Sequence, residues 1–152
     1  MNVTDLREQV EIEPEKISAT LAEVHSLTKE LESRSPTVRE KTAAGAFLSQ
    51  LYAGLENIVL RICKYRGVSL PTGDEWHTEL FRKFCDPPHS DIPPLFDKQL
   101  EEAIAPYRRF RHLFAHTYGV SLDWEKMRDG VTSAHDGFTE FAHRLRAYLR
   151  TL

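Results

Sequence analysis

The stretch Phe47-Leu48-Ser49-Gln50-Leu51-Tyr52-Ala53-Gly54-Leu55-Glu56-Asn57-Ile58-Val59-Leu60-Arg61-Ile62 decides the fold class. Its apolar residues Phe47, Leu48, Leu51, Tyr52, Leu55, Ile58, Val59 and Ile62 keep helical spacing and form a wide face, which suits a helix at the centre of a core. Thr37 or Ser35 can cap this helix, predicted to run to about Tyr65 and to end at Arg66-Gly67. Near its start Ala43-Ala44-Gly45-Ala46 is small enough for another backbone to approach closely, a bland surface position for Gly45 being equally open.

Towards the N-terminus, Ile17, Leu21, Val24, Leu27 and Leu31 form one apolar stripe of a preceding amphipathic helix, which Ser33-Arg34-Ser35-Pro36 ends. Thr4 and Asp5 could cap a first short helix, and Pro14 sits where it must end, kink or restart it. Towards the C-terminus, Pro71-Thr72-Gly73-Asp74 reads as a loop, and Asp74 or Thr72 starts a short helix through Trp76, Leu80, Phe81 and Phe84. Residues 86–94 form a Pro-rich connection. A helix is predicted to begin near Pro94 and to run through Leu95, Phe96, Leu100, Ile104 and Tyr107, with Pro106 kinking it. Asp123 can cap a last helix carrying Trp124, Met127, Val131, Phe138, Phe141, Leu145, Tyr148 and Leu149. No strand-length alternation or internal repeat interrupts this pattern, so the fold class is all-α: one domain over residues 1–152, an antiparallel bundle of four main helices plus short helices.

The 152 residues suit a single core, and a composition of 41% hydrophobic and 28% charged residues is that of an ordinary globular chain. The net charge of -3 argues against a global electrostatic grip on nucleic acid, so an RNA contact must come from a local patch or from one assembled across subunits. Two cysteines, Cys63 and Cys85, neither resemble a disulfide scaffold nor form a paired zinc motif, and no apolar run approaches the ~20 residues of a membrane span. A cytoplasmic location with reduced thiols is the expectation.

One local patch exists. From Ala103 to Leu122 there is no acidic residue, and Tyr107-Arg108-Arg109-Phe110-Arg111-His112-Leu113-Phe114-Ala115-His116-Thr117-Tyr118-Gly119 gathers three arginines and two histidines before closing on Gly119. A histidine can take or give a proton near neutral pH, and an arginine can grip phosphate through bidentate hydrogen bonds. On an ideal helix five residues rotate roughly 140°, so Arg111 and His116 of one chain are expected to point apart, whereas Arg111 lies nearly in line with Tyr118. His112 and His116 are four apart and could also ligate a metal, but position 113 is Leu and no third ligand is evident.

Arg111-His112-Leu113-Phe114-Ala115-His116-Thr117-Tyr118 resembles the motif of the HEPN superfamily: arginine, a polar residue, three residues, histidine. The following tyrosine makes it similar to the HepT-like toxins, which pair with a minimal nucleotidyltransferase antitoxin, MNT. Similarity extends to Trp76-His77-Thr78-Glu79-Leu80. The resemblance implies a HEPN-like bundle acting as a homodimer and as a metal-independent endoribonuclease toxin without a cofactor, leaving a 2',3'-cyclic phosphate. It further implies that Arg111 and His116 are catalytic, that Arg108, Arg109 and His112 support RNA binding, and that Tyr118 receives AMP from the MNT partner. The competing reading is a non-catalytic helical module that binds nucleotide or a nucleotidyltransferase through the same positive segment. His77 has a supporting position near such a site, and Glu56 and Asn57 could reach either a dimer partner or the motif.

Overall fold

A computed structural model describes residues 1–85 and 92–152. Five α-helices run α1 (Val3–Glu30), α2 (Val38–Arg66), α3 (Trp76–Lys83), α4 (Lys98–Phe114) and α5 (Trp124–Arg150), with a 3-10 turn at Gly119–Ser121. Four are long and α3 is short, so the all-α, HEPN-like bundle is observed; among the described residues the extended pairing is limited to one isolated bridge between Cys85 and Phe96. None of these helices is long and apolar enough to cross a membrane. Residues 86–91, the first part of the expected Pro-rich connection and with it His89, lie outside the described residues.

Helix α2 is the centre. Leu51, Tyr52, Leu55, Ile58 and Ile62 are buried, and α1, α3, α4, α5 and the 3-10 turn all pack on it. Its start is a capping box, in which Thr37 Oγ1 accepts from the Glu40 N–H and the Glu40 carboxylate accepts from the Thr37 N–H; its end is Gly67 in the left-handed region at φ 67°. Helix α1 runs antiparallel to it: Glu13 meets Arg61 (3.1 Å) while Ile17, one turn on, lies against Gly54, earlier in α2. Helices α4 and α5 are likewise antiparallel. Arg144 bonds Asp97 at one end (2.6 Å), Ile104 lies against Gly137, and the Tyr107 hydroxyl donates to the Gly130 carbonyl (2.7 Å) at the other.

Several local expectations are corrected. Helix α1 is capped by Asn2 and passes through Pro14 as one element. The proline deprives the Val10 carbonyl of its helical partner, but its ring is buried, and packing on α2 and α5 holds the helix together. Helix α3 starts after Glu75, which makes no side-chain cap, rather than on Asp74 or Thr72. Helix α4 starts only at Lys98, where Asp97 caps the Leu100 N–H, because Leu95 and Phe96 are used as buried plugs and Phe96 bonds the Phe84 carbonyl. It continues through Pro106, which is exposed and leaves the freed carbonyl of exposed Glu102 open to water.

Gly45 meets a side chain, not a backbone: a Cβ there would lie 2.5 Å from the Phe114 ring. In an ordinary helix interior Gly→Ala gains ~1 kcal/mol; here Gly45→Ala is expected to lose about 1–3 kcal/mol through overpacking. Denaturant unfolding checks it, and a paired Phe114→Leu change should recover most of the loss. Stabilisation by alanine alone would contradict the close approach.

The α2 cap carries a pH signature. The Arg34 guanidinium, with both Nη atoms 2.6 Å from the Glu40 carboxylate, and the Thr37 N–H hold Glu40 well down, at about 2. A depressed carboxylate stabilises the fold above its unfolded pKa and loses that contribution as pH falls through the folded one. The small melting difference between the parent and Glu40→Gln is therefore expected to be full at pH 6, to shrink below about pH 4 and to vanish near pH 2. A difference that stays constant over that range would show that the pair does not contribute.

Candidate active site

The positive segment forms the last two turns of α4 and the turn after it. Helix α4 ends at Phe114, and the His116 N–H folds back to the Leu113 carbonyl at 3.0 Å while the Thr117 hydroxyl bonds the same oxygen at 2.8 Å. Ala115 keeps right-handed helical angles and the bonds of His116 and Thr117 back to Leu113 and Phe114 continue the turn, so the rotation between Arg111 and His116 persists across the helix end. Both residues nevertheless line one cleft of about 460 Å³ in a single chain, together with Arg108, Arg109, His112 and His77. Arginine and histidine in the last turn also complement the negative end of the helix dipole.

Five contacts set the geometry. Arg111 reaches from α4 to the carboxylate of Glu56 on α2 (Nη1 to Oε1, 3.4 Å). Glu56, only 4% exposed, takes His77 of α3 on its other oxygen, 2.6 Å from Nδ1. The His77 ring lies over Trp76 with centroids 3.5 Å apart, and the guanidinium of Arg108 sits 5.3 Å from the centre of the Phe81 ring. His112 and His116 meet edge to face at 5.2 Å. Glu56 thus ties three helices at the cleft floor, beside the buried Tyr52, whose hydroxyl is pushed well above its usual range by burial and then by the charge of Glu56.

Buried charge singles out this floor. Glu13 and Glu56 are the two buried charged residues among those described. Glu13 is accounted for by Arg61 and the α1–α2 packing, whereas Glu56 holds side chains that open on a cleft. Burying a carboxylate costs several kcal/mol unless it is paired, and both of its oxygens are partnered here.

A family model described as HepT-like protein matches residues 43–152. The chain belongs to the HepT-like family. The matched region of this HepT-like chain runs from within α2 to the C-terminus and contains the whole cleft lining, from Ser49 to His116, together with Glu56 and Tyr118. Comparison with curated proteins and with solved structures returns no match. HepT-like proteins belong to the HEPN superfamily, which is generally associated with ribonucleases.

Tyr118 departs from its expected place. It lies beyond the helix end, so the alignment above Arg111 does not exist; its side chain does not line the cleft and is 83% exposed. Gly119 does not close α4 in a left-handed conformation either. It opens the 3-10 turn, and a Cβ there would collide with the Thr42 hydroxyl of α2. Asn57, beside Glu56, is exposed. Among the described residues no group of three or more His, Cys, Asp or Glu is arranged to hold a metal, and His112 and His116 gain no third ligand.

Proposed function

We propose that this HepT-like chain is an endoribonuclease toxin that cuts RNA with its own side chains. The observation that carries the reading is the convergence of Arg111 and His116 on one arginine-rich cleft. Arg111 offers a guanidinium with donors to spare for the scissile phosphate, Arg108 and Arg109 extend the positive wall along the RNA backbone, and His112 supports the His116 ring. The 2'-oxygen attacks phosphorus, the bond to the 5'-oxygen breaks, and His116 transfers a proton in the step. The products are a 2',3'-cyclic phosphate and a 5'-hydroxyl.

The exposed apolar side chains Leu113 (56%), Tyr118 (83%) and Val120 (72%) flank the motif and support a homodimer formed around it. Exposure also supports Tyr118 as the control point: its hydroxyl is reachable by an MNT-type nucleotidyltransferase antitoxin, and an AMP group there would set a bulky anion beside His116. The test is cleavage of a defined RNA by purified protein with chelator present, followed by end-group analysis. Fragments ending in a 2',3'-cyclic phosphate are expected. Intact RNA, or cleavage that the chelator abolishes, would overturn the reading.

A further inference from the structure

Transesterification of RNA moves two protons, one off the 2'-hydroxyl and one onto the 5'-oxygen, and efficient catalysis wants a separate group for each. His116 is one such group under the ribonuclease reading, on which this inference rests. The same subunit contains a second. We infer that His77, held by Glu56, is the base that takes the 2'-hydroxyl proton, leaving His116 of the same cleft to protonate the departing 5'-oxygen.

The argument begins with Glu56. It is buried and shared between Arg111 and His77, so as the partner of a guanidinium it serves as an acceptor. A carboxylate that only accepts obliges Nδ1 of His77 to donate, at 2.6 Å. In the neutral ring the lone pair is then on Nε2, the nitrogen not spent on Glu56. The ring cannot turn freely, because Trp76 lies against its face at 3.5 Å. Its side chain is 33% exposed, and the surface it opens on is the cleft that Arg111 and His116 line. A ring with its tautomer set by a buried anion, its plane held by an aromatic face and its other nitrogen free is the arrangement used elsewhere to make histidine a base.

The charge balance closes. When Nε2 takes the 2'-hydroxyl proton the ring becomes a cation backed by Glu56; the new bond from the 2'-oxygen to phosphorus forms as the bond to the 5'-oxygen breaks, and the proton of His116 goes to that oxygen. Arg111 touches Glu56 and faces the cleft, so one carboxylate positions both the base and the phosphate-binding guanidinium. Besides its partner Glu56, the charged and titratable groups that share the cleft with His77 are Tyr52 from α2, Asp74 and Glu75 from the loop before α3, and Arg108, Arg109, Arg111, His112 and His116 from α4 and the turn after it. Glu56 is a positioning residue.

The test measures RNA cleavage as a function of pH for the parent, His77→Gln, His77→Ala and Glu56→Gln. Glutamine preserves the hydrogen bond to Glu56 and much of the bulk but cannot carry a proton. His77→Gln is expected to melt near the parent, to cut RNA about 10²–10⁴-fold more slowly, and to lose the acid limb along which parent activity rises with pH. His77→Ala opens space for a free ring, and added imidazole should restore part of its activity, which a merely structural role would not allow. Glu56→Gln should keep the limb but move it. An active parent with His77→Gln within about threefold of it, or His77→Ala inactive and indifferent to imidazole, overturns the assignment and leaves the ribonuclease reading standing. A parent that leaves RNA intact overturns both.

Discussion

Arg111→Ala should cut RNA about 10²–10³-fold more slowly than the parent, the usual cost of removing one group aimed at transition-state charge. The side chain is about a third exposed and spends one edge on Glu56 at 3.4 Å, so other N–H groups of the fork remain for phosphate oxygens. Arg111→Lys keeps the charge but not the planar fork, and should therefore recover only part of the rate. Removing Arg111 also strips one partner from a buried carboxylate, which should cost about 1–3 kcal/mol of stability. Activities must accordingly be compared well below the melting temperature. Adding Glu56→Gln to Arg111→Ala should return much of that stability while leaving cleavage low. Full activity in the stable double variant would show that Arg111 acts only as a counter-ion.

Phe138→Ala should be among the most damaging changes in the core, at about 3–5 kcal/mol and a fall in melting temperature of about 6–20 °C. Phe138 is fully buried on α5, and its ring meets Tyr107 of α4 edge to face at 5.0 Å. Tyr107 is one residue before the arginine pair and anchors its hydroxyl on Gly130, so the same contact that fills the core fixes where α4 presents its arginines. Phe138→Leu, which leaves a smaller void, should cost clearly less. A melt within 2 °C of the parent for the alanine variant, on a scale of ~2–4 °C per kcal/mol, would mean that the α4–α5 seam is not packed as described.

The central features were legible because they are local. The apolar face of α2 is written at helical spacing from Phe47 to Ile62, its left-handed stop is announced by Gly67, and Asp123 stands directly before α5. Where tertiary contacts decide, local rules failed. Thr4, Asp5 and Pro14 suggested a first short helix that Pro14 ends, kinks or restarts, yet α1 runs through Pro14 as one element, packed on two other helices. Gly119 looked like a helix stop, but glycine is needed there because Thr42 of α2 comes close.

The site divides in the same way. Its arginines and histidines stand within one short segment, whereas Glu56 and His77 join it only through packing, from 55 and 34 positions before Arg111 in sequence numbering. A signal for Glu56 was present. It falls on the α2 stripe between Tyr52 and Val59, at four and three residues from each, so a carboxylate there had to be buried and had to find partners. The helical arithmetic that set Arg111 and His116 apart considered α4 alone and left out the cleft, which both residues line.

The most direct measurement is the cleavage rate of one defined RNA by the parent and by His116→Ala, side by side with chelator present and with both melts recorded. Because His116 is exposed, beyond the helix end, and bonded to the fold mainly through its backbone, the substitution should leave the melt unchanged. The account predicts a parent that cuts and a variant slower by about 10²–10⁴-fold. A His116→Ala protein as active as the parent, or a parent that leaves the RNA intact, would contradict it.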